Sequence, residues 1–147
     1  MSRVHLAGSN PQILACFPVM AQLRPDLDEG TFAERVRRQM ESGYRLAYVE
    51  DASRVAAVAG FRISECLAWG RFLYVDDLVT GERVRSEGHG RELLRWLAAH
   101  ARENGCEQLH LDSGVQRFGA HRFYLREGMD ITSHHFAMKL GGEDGRP

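Results

Sequence analysis

Two adjacent carboxylates inside an apolar run, followed by a glycine-bearing loop, are the parts of this sequence best suited to chemistry. The stretch from Phe72 to Leu97 reads FLYVDDLVTGERVRSEGHGRELLRWL. Its beginning has a strand pattern, its end has helical spacing, and between them lies Arg85-x-x-Gly88-x-Gly90. The free N–H groups of a helix's first turn and the positive end of its dipole make a ready anion site. Glycines let the backbone approach a bulky anion closely, and Arg83, Arg85 and Arg91 add positive charge. A phosphate-bearing ligand is therefore expected; the competing reading is a tight, solvated turn with ordinary surface arginines. Upstream, Asp76 and Asp77 sit between Val75 and Leu78, although Asp is depleted in strands. Alternation sends them to opposite faces, so only one can face a given cleft unless a bulge intervenes. Either could instead pair with an arginine or cap a turn.

The glycine loop fits neither common nucleotide motif. A P-loop needs Gly-Lys followed by Ser or Thr, which this chain lacks. A dinucleotide site needs a third small residue three positions after the second glycine, where this chain has Leu93.

The elements that must position these residues can be read from periodicity. Residues 4–7 suit a short first strand. Asn10-Pro11 reads as an N-cap and first helical residue, with Ile13, Leu14, Phe17, Met20 and Ala21 at helical spacing and Pro18 dividing the helix. Thr31 and Glu34 have capping-box spacing at the head of a second helix, which Gly43 ends. Tyr44–Glu50 and Arg54–Ile63 form a hairpin about Asp51-Ala52-Ser53, and Phe72–Thr80 completes an antiparallel meander. A helix over Gly90–Asn104 then leads to a strand at Gln108–Asp112, a crossover that implies parallel pairing. A short helix at Arg117–Glu127 and a last strand at Ile131–Leu140 follow, and residues 141–147 form a disordered tail.

Composition bounds the rest. A chain of 147 residues with 44% hydrophobic content suits one compact domain. With 19 basic and 20 acidic residues its net charge is -1, which gives no signal for nucleic acid or a membrane surface. No apolar run is long enough to span a bilayer, and the first residues lack a signal-peptide pattern, so a cytoplasmic location is expected. Cys16, Cys66 and Cys106 are few, odd in number and far apart, as reduced thiols would be. No Cys-x-x-Cys occurs, His134 and His135 would face opposite sides of a strand, and no metal site is expected.

Arg85-x-x-Gly88-x-Gly90 between strand and helix, together with AHRFYLREGM at positions 120–129, resembles the GNAT superfamily of acetyl-CoA-dependent N-acetyltransferases. The similarity spans nearly the whole chain, and the stretch Leu111–Met129 looks closest to aminoalkylphosphonate-type acetyltransferases and uncharacterised relatives. The resemblance implies an α/β (α+β) fold: a mixed, mostly antiparallel central sheet flanked by helices and splayed between its fourth and fifth strands. It implies acetyl-CoA as co-substrate, held by Leu78, Val79, Thr80, Arg85, Ser86, Glu87, Gly88, His89, Gly90, Arg91 and Tyr124. Direct acetylation of a primary amine, in a small-molecule acceptor, is the implied reaction; the alternatives are a non-catalytic acyl-CoA-binding regulatory module and an enzyme acting on protein or transfer RNA. On the same basis Asp77 is the candidate general base, with Asp76 the second choice, and the backbone of Val79 meets the oxyanion. Tyr124 is the general acid for the leaving thiolate, since its hydroxyl and a thiol have comparable acidity; otherwise it is a core aromatic beside Phe123. Arg24, Asp76 and Asp112 are candidates for acceptor binding. His110, His121 and Cys106 read better as structural. A homodimer is left open by the sequence.

Overall fold

The computed structural model describes residues 3–85 and 87–141. Its contacts divide the chain into two compact units, 1–111 and 112–147. The first unit carries a five-stranded sheet in sequence order: β1 (Val4–Leu6), β2 (Arg45–Asp51), β3 (Arg54–Cys66), β4 (Gly70–Thr80) and β5 (Gln108–Leu111). Neighbouring strands are antiparallel except β4 and β5, which run parallel. Three helices fall between β1 and β2, namely α1 (Asn10–Ala15), α2 (Phe17–Leu23) and α3 (Glu29–Met40), and α4 (His89–Glu103) connects β4 to β5. The mixed α/β expectation holds.

Local chemistry sets the helix boundaries. Ser9, one residue before the expected Asn10, is the N-cap of α1 and forms a capping box with Gln12. Asn10 instead accepts a 2.7 Å hydrogen bond from Arg37 Nε. Pro18 divides the helical run as expected: α1 stops before Cys16, and α2 restarts with the proline in its first turn, where its missing N–H costs nothing. Helix α3 starts two residues ahead of Thr31, after Asp28. The β2–β3 turn puts Ala52 and Ser53 at φ 51° and 62°, the handedness that a two-residue hairpin needs.

Each face of the sheet carries its own core. On one, Leu93, Leu97 and Ala101 of α4 cover Phe61, Leu73 and Val75. On the other, Ile13, Met20, Phe32 and Val36 from the first three helices cover Leu46 and Val58. Truncating a fully buried member such as Leu97 to Ala would cost about 2–5 kcal/mol.

The β4–β5 pairing decides where a cleft can form. It joins Phe72–Val75 to Gln108–Leu111 and stops. Residues 76–80 of β4 continue without a partner strand on that side among the described residues, which agrees with the expected parting of strands four and five.

In the second unit, α5 (Phe118–Arg126) ends at Gly128, whose φ of +96° suits only glycine well. The strand expected at Ile131–Leu140 is not formed: residues 130–140 have no regular structure, and Ile131, Phe136, Met138 and Leu140 are exposed. Alternating apolar residues specify a face, but a strand also needs a neighbour to satisfy its backbone. The expected tail lies almost wholly outside the described residues. Among those residues no helix is long and apolar enough to cross a membrane.

Candidate active site

A bulge in β4 builds the site. Gly60 of β3 pairs with Asp77 and Phe61 with Val75, which leaves Asp76 as the unmatched residue. An inserted residue shifts the side-chain alternation by one. Asp76 and Asp77 therefore line the same cavity, of about 680 Å³, with Arg24, Arg35, Tyr44 and Tyr74 also in its wall. The expectation of opposite faces is overturned, by the exception that went with it.

The two carboxylates have different surroundings. Asp77 is tied on both oxygens: Arg24 Nε and Nη2 each approach Oδ1 at 3.0 Å, and the Tyr44 hydroxyl donates to Oδ2 at 2.8 Å. Arg24 also donates to the Asp76 carbonyl at 3.0 Å. On the Asp76 side chain, Oδ2 accepts a 2.9 Å hydrogen bond from Arg62 Nε, while Oδ1 is buried with no hydrogen-bond partner among the described residues. Burial raises the Asp76 carboxyl above the ordinary carboxylate value; Arg62 pulls it back, and the Asp77 charge pushes it further up. Burial and the bonded Asp77 likewise hold the Tyr44 hydroxyl well above its usual value.

Arg35 completes the charge pattern. It lines the cavity from α3 and makes no ion pair or hydrogen bond among the described residues. Arg62 is engaged twice, with Asp76 and with Gln39 Oε1 at 2.7 Å, and lies 5.3 Å from the Tyr44 ring centre. The cavity wall thus holds a carboxylate with one buried oxygen that lacks a partner, and a guanidinium without an ion pair, among the described residues.

The glycine loop leads into α4. Gly88 is its N-cap at φ +85°, and a Cβ there would meet nothing within 4 Å. The N–H groups that follow, of His89, Gly90 and Arg91, begin a fifteen-residue helix and lack intrahelical acceptors. Arg83, Arg85 and Arg91 are exposed, His89 is buried, and Ser86 lies outside the described residues. The segment fits a bulky anion.

Ladder parity bears on the oxyanion donor. Gly81 N–H donates to Ala56 O of β3 at 2.8 Å. Pairing of Ala57 with Thr80 and Val58 with Val79 continues that register, so alternation turns the Val79 N–H toward β3 and those of Leu78 and Thr80 toward the side without a partner strand.

The remaining expected residues lie in the second unit. Tyr124, on α5, packs edge-on against Phe123 with ring centres 5.4 Å apart. Burial raises its hydroxyl above the usual value, against a lowering charge and hydrogen bond from Arg117. Asp112 is exposed, 3.5 Å from His135 Nδ1. His121 Nε2 lies 2.7 Å from Gly114 O. In the first unit, His110 stacks on Trp69 and lies 2.6 Å from Gln108 Oε1.

Sequence reasoning named Arg24, Asp76 and Asp77 but missed Tyr44, Arg62, Arg35 and Gly60. Only Gly60 carried a signal: a glycine inside a strand marks a bulge or a close approach, and here it faces both the Tyr44 hydroxyl and Asp77.

Known proteins resemble the chain in fold and in sequence. A transcriptional regulator from Bacillus halodurans C-125 superposes with a TM-score of 0.81 at 18% identity, over 92% of this chain and 97% of that one, which shows a shared fold. An uncharacterised N-acetyltransferase, YhdJ, of Bacillus subtilis (strain 168) is 36% identical over 123 residues, covering 82% of this chain and 86% of its own. The aminoalkylphosphonate N-acetyltransferase of Salmonella typhimurium (strain LT2) is 36% identical over 66 residues, 45% of this chain and 43% of its own. The model of the acetyltransferase (GNAT) family matches residues 12–129, and the chain belongs to that family of acetyl-CoA-dependent acyltransferases.

Proposed function

We propose that this chain acetylates the primary amine of a small acceptor that also carries an acid group, by direct attack in a ternary complex with acetyl-CoA. The charge layout of the cavity carries this reading. The Asp76 carboxylate in the cavity wall suits an ammonium, and Arg35, which makes no ion pair among the described residues, suits an anion. The Salmonella relative is named for an acceptor that combines an amine with a phosphonate.

In this mechanism acetyl-CoA supplies the acyl group as a thioester. The backbone of residues 88–91 and the flanking arginines hold its pyrophosphate, in keeping with the open left-handed turn at Gly88. Asp76, rather than Asp77, takes the proton from the acceptor ammonium, because Asp77 has both oxygens committed to Arg24 and Tyr44. As the C–N bond forms, the N–H of Leu78 or Thr80 meets the oxyanion in place of Val79. As the C–S bond breaks, Tyr124 gives its proton to the sulfur and is reprotonated, through water, by the second proton that the new amide nitrogen sheds; its raised hydroxyl is protonated at neutral pH. Asp77 and Arg24 hold the acceptor wall, and Asp112 has no part. Both units act as one acyltransferase domain, which the family match running from residue 12 to 129 supports. A cytoplasmic location belongs to the same reading and is supported by three free thiols.

An acetyl-CoA-dependent thiol-release screen over amines with and without an acid group tests it. Acid-bearing amines should turn over best. Arg35→Gln should raise their KM about 10- to 100-fold, as loss of a charged hydrogen bond would, while leaving neutral amines unchanged. Equal use of neutral and acidic amines would remove the acid group from the proposal, and no release with any acceptor would remove catalysis.

A further inference from the structure

The loop that leads into α4 also meets the β2–β3 turn, through groups the acetyl-transfer chemistry does not use. The His89 side chain is 2% exposed, and neither ring nitrogen has a hydrogen-bond partner among the described residues. An unmade hydrogen bond on a buried polar group is destabilising, so an apolar side chain would fill that slot better. The ring is aimed at acid: Nε2 lies 3.5 Å from Asp51 Oδ2, and one ligand atom each from Asp51, Glu87 and His89 falls within 4.8 Å of the others.

The spacing separates a shared proton from a shared cation. A hydrogen bond would draw Nε2 and Oδ2 to about 2.7–3.2 Å. Two ligands of a tetrahedral zinc ion, each about 2.0–2.1 Å from the metal, lie about 3.4 Å apart. The observed 3.5 Å fits the second case. Arg3 Nη1 holds the other Asp51 oxygen, Oδ1, at 3.2 Å, which leaves Oδ2 turned to the histidine. Glu87 is exposed and gives the site an entrance.

We propose that Asp51, Glu87 and His89 bind a divalent transition-metal cation of the zinc type, which ties the β2–β3 turn to the loop before α4. An imidazole with two carboxylates favours zinc and its neighbours over magnesium. Three protein ligands leave the fourth position to water or to another oxygen donor. No spacing marks the set in the sequence, because Asp51 is brought to the loop only by the fold.

Titration calorimetry of zinc chloride into the untagged full chain, without coenzyme A, tests the site independently of the acetyl-transfer reading. One zinc ion should bind per chain, and its binding should survive the double change His134→Gln, His135→Gln. Outer partners of a metal ligand are worth 10–100-fold in affinity, so loss of a ligand in His89→Leu should weaken binding about 100-fold or more, and Glu87→Gln at least about 10-fold. Glu87 is exposed, so its variant reports even if His89→Leu folds poorly. Absence of binding to the unmodified chain, or unchanged affinity in Glu87→Gln, overturns the three-ligand site.

Discussion

Asp76 and Asp77 are sequence neighbours whose carboxylates line one cavity, because Asp76 is the unmatched residue opposite Gly60 in the β3–β4 ladder. That geometry allows a division of labour between chemically identical side chains. Arg24 and Tyr44 occupy both oxygens of Asp77, whereas Asp76 keeps Oδ1 without a partner. Asp76→Asn should lower kcat about 100- to 10,000-fold, the usual contribution of a general base, with the KM for acetyl-CoA little changed. Asp77→Asn should act mainly on the acceptor KM, through release of Arg24. Steady-state kinetics with each substrate varied would check this; equal losses of kcat in the two variants would contradict the assignment.

The pH profile follows from the same carboxyl. Burial raises Asp76 above its ordinary value of 3.8, and Arg62 opposes that rise. A base works only when ionised, so the acid limb of kcat/KM should lie above the ordinary carboxylate range. Arg62→Gln removes the opposing charge and hydrogen bond, which raises the Asp76 carboxyl further and moves the limb to higher pH. Using one acceptor for both proteins keeps the titration of its amine common to the two curves. A limb that stays in place or moves down would remove Asp76 as the base.

Gly60 is the residue on which the arrangement is most sensitive to size. A Cβ there would run into the Tyr44 hydroxyl and come within 2.5 Å of Asp77 Oδ2. Gly60→Ala should cost about 1–3 kcal/mol in chemical denaturation and raise the acceptor KM as the Tyr44–Asp77 hydrogen bond breaks. Unchanged stability and kinetics would mean that β3 and β4 can part at this point without effect on the site.

Much of this was legible in the sequence, and the misses have physical causes. The hairpin, the β4-loop-α4 order and the crossover to β5 follow from periodicity and glycine placement, because those signals are local. The shared face of Asp76 and Asp77 was not legible, since alternation fails only where the partner strand is one residue short. Tyr44, just before β2, and Arg35, on α3, line the cavity, and Arg62 of β3 reaches Asp76; no spacing links them to Asp76. Two adjacent cap formers, Ser9 and Asn10, could not be ranked without knowing that Arg37 takes the second. The Ile131–Leu140 pattern specified a face without a strand to pair with.

Tyr124 offers a test that separates proton donation from packing. Tyr124→Phe keeps the ring that packs on Phe123 and removes only the hydroxyl, which lies near Arg117. If it protonates the leaving sulfur, kcat should fall about 100-fold or more, with coenzyme A affinity and unfolding temperature nearly unchanged. A loss of stability without a matching loss of kcat would assign Tyr124 to the core.

Gly88→Ala isolates the contribution of loop conformation. Gly88 sits at φ +85°, and an added Cβ meets nothing within 4 Å, so the change introduces no clash and acts through the backbone alone. Holding an L-residue in the left-handed region costs about 1–2 kcal/mol. The loop can absorb that cost as lost stability, or leave the left-handed region and lose the aim of the N–H groups at the head of α4. In the first case denaturation shifts by the full amount and the KM for acetyl-CoA is unchanged. In the second, stability is nearly kept and that KM rises by about 5- to 30-fold, the same free energy read as binding. The open space around that position, among the described residues, favours the second outcome. A variant unchanged in both stability and KM would show that the turn at Gly88 takes no part in holding the acyl donor.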